Sequence, residues 1–209
     1  MSNTKQLARL GANTIPVYRA YRGFQTAERL RTDMHDPDAR TWEFASRVAF
    51  DAATDKVDGI LARYAGTTKL GGYLDQLADK TWYLTIVKQL VENGELEQIH
   101  FRTALIRDIG TTALRPIADI CGLQTDAQLS GKLKMVVQTA AVIAACSPLA
   151  SEQPQLVHGL FDAATVASVA SGIDMLQGYV SDISTHYPHE PAAQLIVAST
   201  MLILPVEKR

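Results

Sequence analysis

The stretch "DAATDKVDGILARYAGTTKLGGYLDQLADK", residues 51–80, carries the side chains best suited to chemistry in this chain. Asp55, Asp58, Asp75 and Asp79 follow one another at spacings of three, seventeen and four. If both segments are helical, Asp55 and Asp58 share one face as an i, i+3 pair, and Asp75 and Asp79 do likewise as i, i+4. A short turn between the segments makes them antiparallel neighbours, with both pairs close to that turn. Four carboxylates at close range repel and resist ionising together unless something positive sits among them. Hard divalent cations held by oxygen ligands meet that need, and two such ions a few ångströms apart can serve phosphate chemistry.

Neighbouring residues extend the pattern. Gly59, next to Asp58, lets a bulky ligand approach the backbone. Ala62, one turn beyond Asp58, keeps the same face open, and Arg63 supplies a planar donor suited to a pyrophosphate. Gly71 lets the turn meet the following helix closely. A lone aspartate pair in a charge run is ordinarily a solvated face. Eight cooperating positions favour a site.

These residues need helices to hold them, and the rest of the chain supplies helical patterns. Val/Ile/Thr runs with clean alternation are absent, while Ala, Leu, Gln and Glu recur at helical spacing. Six main helices are expected, at about 15–31, 41–63, 71–91, 97–120, 130–147 and 155–184. Gly94, in "ENGE", suits the C-terminal turn of the third. The apolar segment 192–205 is a seventh short helix or a packed tail. Short loops suggest an up-and-down bundle. With no repeat, low-complexity linker or compositional shift, one domain over 1–209 is expected.

The net charge of −2 gives no basic field for nucleic acid. Two cysteines, Cys121 and Cys146, form neither a metal-ligand spacing nor a disulfide framework. The opening "MSNTKQLARLGANT" has no apolar run behind its basic residues, so no cleavable signal peptide is expected. Mean hydropathy is near zero. Segments 135–151 and 191–206 are the longest charge-free apolar stretches, short of a plain spanning helix. Loop charges point the other way. Arg63, Lys69, Arg115, Lys132, Lys134 and both termini form one basic set, whereas "RTDMHDPDAR", "ENGELE" and "SPLASEQPQ" are richer in acids. Such alternation is what six spans with both ends in the cytoplasm produce.

Written out, the acidic stretch is Asp55-x2-Asp58-Gly59-x2-Ala62-Arg63-x7-Gly71-x3-Asp75-x3-Asp79. At every position it resembles the signature of the CDP-alcohol phosphatidyltransferases, a specific match within 25 residues. More weakly, "NTIPVYRAYR" (13–22) is similar to the family's opening helix, with its arginine at Arg22. The stretch "ALIRDIGTTALR" (104–115) resembles the fourth helix of phosphatidylglycerophosphate synthases, and "GKLKMVVQ" (131–138) the start of their fifth.

The resemblance implies a six-helix integral membrane enzyme, multi-pass, with its active site and both termini on the cytoplasmic side. It would move a phosphatidyl group from CDP-diacylglycerol to a small alcohol and release CMP. Carried over by position, Asp55, Asp58, Asp75 and Asp79 would hold two Mg²⁺ or Mn²⁺ ions, and Asp79 would be the general base. Asp58, Gly59, Ala62, Arg63 and Gly71 would face the cytidine diphosphate. The synthase-like stretches favour sn-glycerol 3-phosphate as acceptor. A phosphorylated acceptor needs cationic partners, and Arg107, Arg115 and Lys134 are the candidates. Dimers are usual in the resembled family, so the resemblance leaves a homodimer open, with membrane lipid around the chain and no nucleic acid as partner.

Two other readings compete: the same chemistry with inositol phosphate or serine, and a non-catalytic, polar-surfaced bundle whose acidic hairpin binds divalent metal. Arg19, Arg22, Glu28, Arg29, Glu43, Arg47 and Asp51 lie in helices expected to span, where each unpaired charge costs at least about 2.5 kcal/mol. Asp51 is expected to partner a neighbouring arginine.

Overall fold

The computed structural model describes residues 3–33, 36, 39–65, 69–120 and 129–186. The side chains of 3–13, 55–63, 65, 69–70, 115–120 and 184–186 lie outside the described set. The described residues form seven helices and no strand: α1 (Asn3–Thr32), α2 (Trp42–Ala65), α3 (Lys69–Glu92), α4 (Gln98–Ile120), α5 (Leu129–Ala145), α6 (Leu149–Glu152) and α7 (Pro154–His186). The all-α class and the six long helices agree with the sequence reading. Residues 192–205 lie outside the described residues.

Two boundaries differ from expectation. The first helix begins near Asn3 rather than residue 15 and carries Pro16 in its interior. A proline there forfeits one backbone hydrogen bond and crowds the preceding turn; the Pro16 ring is fully buried, so packing offsets part of that cost. Helix α3 begins at Lys69, two residues before the expected start at 71, so Gly71 lies within its first turn. The stretch expected as a plain connection after the fifth helix contains the single turn α6.

Helix α3 stops as its glycine suggested. Gly94 has φ of +78°, in the left-handed region that an L side chain enters at a cost. Glu95 N–H donates to Leu90 O at 2.9 Å and Gly94 N–H to Val91 O at 3.0 Å, which satisfies carbonyls the helix end would leave unpaired.

The chain divides into two compact units, with boundaries inside α4, α5 and α7. One comprises Met1–Arg102 and Val137–Ala163, and the other Thr103–Val136 and Ala164–Arg209. In the first unit α1 packs against both α2 and α3. Leu30, Phe44, Val48, Trp82, Ile86, Leu90, Val142 and Phe161 are among its buried side chains. Gly23 sets the approach of α1 to α3, because a Cβ there would lie 2.8 Å from the Trp82 Cα. The ends of the helices are pinned by polar contacts. Asn93 Nδ2 donates to Leu30 O at 2.9 Å, Arg40 Nη1 donates to Ala145 O at 3.1 Å, and the Arg40 guanidinium pairs with Glu95.

Among the described residues of the second unit, the buried side chains are more often polar. Ala104, Ala164 and Val180 are buried there beside Asp108, Lys134, Ser168 and Ser171. Meanwhile large apolar side chains point outward along helical stripes: Val17, Tyr21 and Phe24 on α1, Ile106 and Ile109 on α4, and Leu129, Leu133 and Val136 on α5. Helix α7 contains a stretch, Pro154–Ile183, long and apolar enough to cross a membrane by length and composition. Buried, paired charges beside exposed apolar stripes depart from the usual water-soluble arrangement.

Gly23→Ala should push α1 away from α3, since the nearest atom is backbone and cannot swing aside. We expect a loss of about 1–3 kcal/mol, the usual range for overpacking, read as a lower unfolding midpoint. An unchanged midpoint would mean that the close α1–α3 approach is not needed.

Candidate active site

Asp75 and Asp79 lie one turn apart on α3, as the i, i+4 spacing required, and both face a single buried cation from α1. Arg19 is 1% exposed; its Nη2 lies 2.5 Å from Asp75 Oδ1 and its Nε 3.0 Å from Asp79 Oδ1. An arginine so deeply buried needs carboxylate partners, and two carboxylates this close need a cation. Each requirement meets the other. One turn further along α1, Arg22 Nε donates to both oxygens of Asp51, at 3.1 and 2.9 Å. Asp51 therefore has the arginine partner that the sequence suggested, and is itself buried.

Asp55, Asp58, Gly59, Ala62 and Arg63 occupy α2, and Arg115 occupies α4, with side chains outside the described residues. Helix α2 runs unbroken through Asp55 and Asp58, so the i, i+3 relation holds along its axis. Among the described residues no group of three or more His, Cys, Asp or Glu side chains gathers as a metal site. The described half of the quartet fits a hard divalent cation in donor chemistry. Asp75 and Asp79 offer oxygens alone, one turn apart on α3 and both paired with the Arg19 guanidinium.

In the second unit, Arg107 and Lys134 meet at one carboxylate. Asp108 Oδ1 accepts from Arg107 Nη1 at 2.8 Å and from Lys134 Nζ at 3.2 Å. Two of the three cations proposed for an acceptor's phosphate are thus brought together. Lys134 is buried, which a lysine tolerates when paired.

Other groups are accounted for. His100 is buried on α4, 6.1 Å from the Phe161 ring centroid. Cys146, just past α5, is enclosed, and burial pushes its thiol up to about 12, which leaves no thiolate nucleophile at neutral pH.

Sequence reasoning missed Arg19 and Asp108 as members of these clusters. The available signal was cost: a charge in a helix of this kind needs a partner, and the nearest carboxylates one helix away were the signature itself. Asp108 was overshadowed by the arginine beside it.

Arg19→Met would leave Asp75 and Asp79 facing each other without that cation. In EDTA we expect a loss on the order of 2 kcal/mol, below the figure for fully buried pairs because Asp75 is partly exposed. Added Mn²⁺ should then raise the variant's unfolding midpoint more than that of the unsubstituted chain. Equal midpoints with and without the substitution would remove Arg19 as their counter-charge.

Comparison with known proteins places this geometry in context. Residues 26–180 match the family model of the CDP-alcohol phosphatidyltransferases, a span that includes all four aspartates, Arg107, Arg115 and Lys134. Relatives from two strains of Mycobacterium tuberculosis, each described as a probable phosphatidylglycerophosphate synthase, are 33% identical over 131 residues. Each match spans 62% of this chain and 62% of the relative. With the signature filled at every position and the family model covering most of its length, the chain belongs to the CDP-alcohol phosphatidyltransferase family.

Proposed function

We propose that this chain transfers a phosphatidyl group from CDP-diacylglycerol to sn-glycerol 3-phosphate and releases CMP, as a single catalytic domain. The observation that carries the reading is the convergence of Asp75 and Asp79 on one buried cation, within the complete signature. The synthase name of the mycobacterial relatives favours the phosphorylated acceptor.

Asp55, Asp58, Asp75 and Asp79 would hold two divalent ions, Mg²⁺ or Mn²⁺. When bound, such ions neutralise charge on the diphosphate. Asp58, Gly59, Ala62, Arg63 and Gly71 are assigned to the cytidine diphosphate. Asp79 takes the proton from the acceptor hydroxyl as its oxygen attacks the phosphorus on the lipid side. An O–P bond forms, the bond from that phosphorus to the bridging oxygen breaks, and CMP leaves with the electron pair. Arg107, Arg115 and Lys134 are assigned to the acceptor's phosphate, where charge-assisted hydrogen bonds are strongest.

The same reading places the chain in a membrane, with its active site and both termini on the cytoplasmic side and a homodimer as its assembly. Support for the membrane comes from the outward apolar stripes, the α7 stretch and the alternation of loop charge, whereas the homodimer rests on the family resemblance alone. A lipid substrate and a lipid surround need the same exposed apolar faces. A preparation that stays monodisperse without detergent or lipid would favour the non-catalytic metal-binding bundle.

The direct test is CMP formation from CDP-diacylglycerol with Mg²⁺ or Mn²⁺ across a panel of alcohols. We expect turnover with sn-glycerol 3-phosphate and little with serine or inositol phosphate; no CMP with any alcohol would refute the activity. Asp79→Asn should lower the rate by at least about 10²-fold while cytidine-nucleotide binding persists. Full activity in that variant would remove Asp79 as the base.

A further inference from the structure

We propose that Asp108 is a positioning residue that holds Arg107 and Lys134 together for the acceptor's phosphate, with Ser171 of α7 as a second anchor for Arg107. The proposal rests on the acceptor-phosphate reading above and extends it to residues that make no contact with substrate in that reading. Arg107 and Lys134 come from different helices, and like charges brought close repel. A single carboxylate oxygen bridges them, at 2.8 Å from Arg107 Nη1 and 3.2 Å from Lys134 Nζ, and Asp108 is only 3% exposed. A buried bridging carboxylate has little freedom to follow a wandering cation. It fixes where both can point.

Arg107 is held from a second side. Its Nη2 donates to Ser171 Oγ at 2.7 Å, and Ser171 is itself buried. A Cβ on the adjacent Gly172 would lie 3.5 Å from Arg107 Cγ, so the arginine stem runs against α7. One turn along both helices, Ser130 Oγ donates to Asp174 Oδ2 at 2.6 Å and ties α5, which carries Lys134, to the same face of α7. Arg107 Nε is shielded from solvent and makes no hydrogen bond among the described residues. This framework orients a planar guanidinium and an ammonium in advance, which is what tight recognition of a phosphate monoester requires.

The alternative role is charge balance alone. The two roles predict opposite signs, because removing a negative charge beside two cations would strengthen anion binding if position did not matter. With full-length protein in detergent, Asp108→Ala should raise KM for sn-glycerol 3-phosphate by about tenfold or more, with KM for CDP-diacylglycerol changing less than about threefold. Inorganic phosphate should compete with the acceptor more weakly in the variant, and Asp108→Glu should recover part of the loss. Ser171→Ala, a milder change, should raise the acceptor KM by about threefold and serves if Asp108→Ala fails to fold. An unchanged or lower acceptor KM overturns the proposal, as does an equal rise in both constants. Lys134→Ala and Arg107→Ala run alongside separate the two failures. If they leave the acceptor KM unaltered, the acceptor-phosphate reading fails; if they raise it while Asp108→Ala does not, only the positioning role fails.

Discussion

The described part of the signature depends on one electrostatic constraint: two carboxylates one turn apart on α3 must be matched by positive charge. Arg19 meets it for Asp75 and Asp79, reaching both from α1 while nearly excluded from solvent. That reach requires α1 to lie close against α3, and Gly23 is the residue that permits it. Divalent ions would satisfy the same carboxylates more strongly, because a doubly charged ion coordinates oxygens directly. The local packing and the proposed chemistry therefore share one physical origin.

The same principle answers the puzzle of composition. A mean hydropathy near zero and many charges in long helices argue against a lipid environment if the charges face outward. They do not all face outward. Arg19, Asp51, Asp108 and Lys134 are buried and paired, while aromatic and aliphatic side chains of α1, α4 and α5 are exposed. Averaging hydropathy along the chain hides this sorting, because an average cannot tell a charge on the inner face from one on the outer. Charge pairing inside lowers the cost of placing such helices in an apolar surround.

Much of the architecture was legible because helices announce themselves locally. Six apolar periodicities became six long helices, and Gly94 ended α3 in the left-handed conformation its position implied. The signature was legible because two helical spacings put two carboxylates on one face each, and α3 bears this out for Asp75 and Asp79. What escaped was long-range. Arg19 meets residues more than fifty positions away, Lys134 meets Asp108 across two helices, and no local pattern names such partners. The expected start at 15 would put Pro16 in the first turn, whereas α1 begins at Asn3 and holds that buried ring in its interior. Partnership of Asp51 with an arginine was foreseeable from cost, and its identity as Arg22 needed three dimensions.

The claim at the centre is that the signature aspartates gather around divalent ions, and Mn²⁺ binding to the EDTA-stripped, detergent-purified chain measures it most directly. An isotherm with two Mn²⁺ sites per chain, both lost when Asp58 and Asp75 are changed together to asparagine, is the expected result. Binding that is absent in the unaltered chain, or unchanged in the doubly substituted one, would contradict the account.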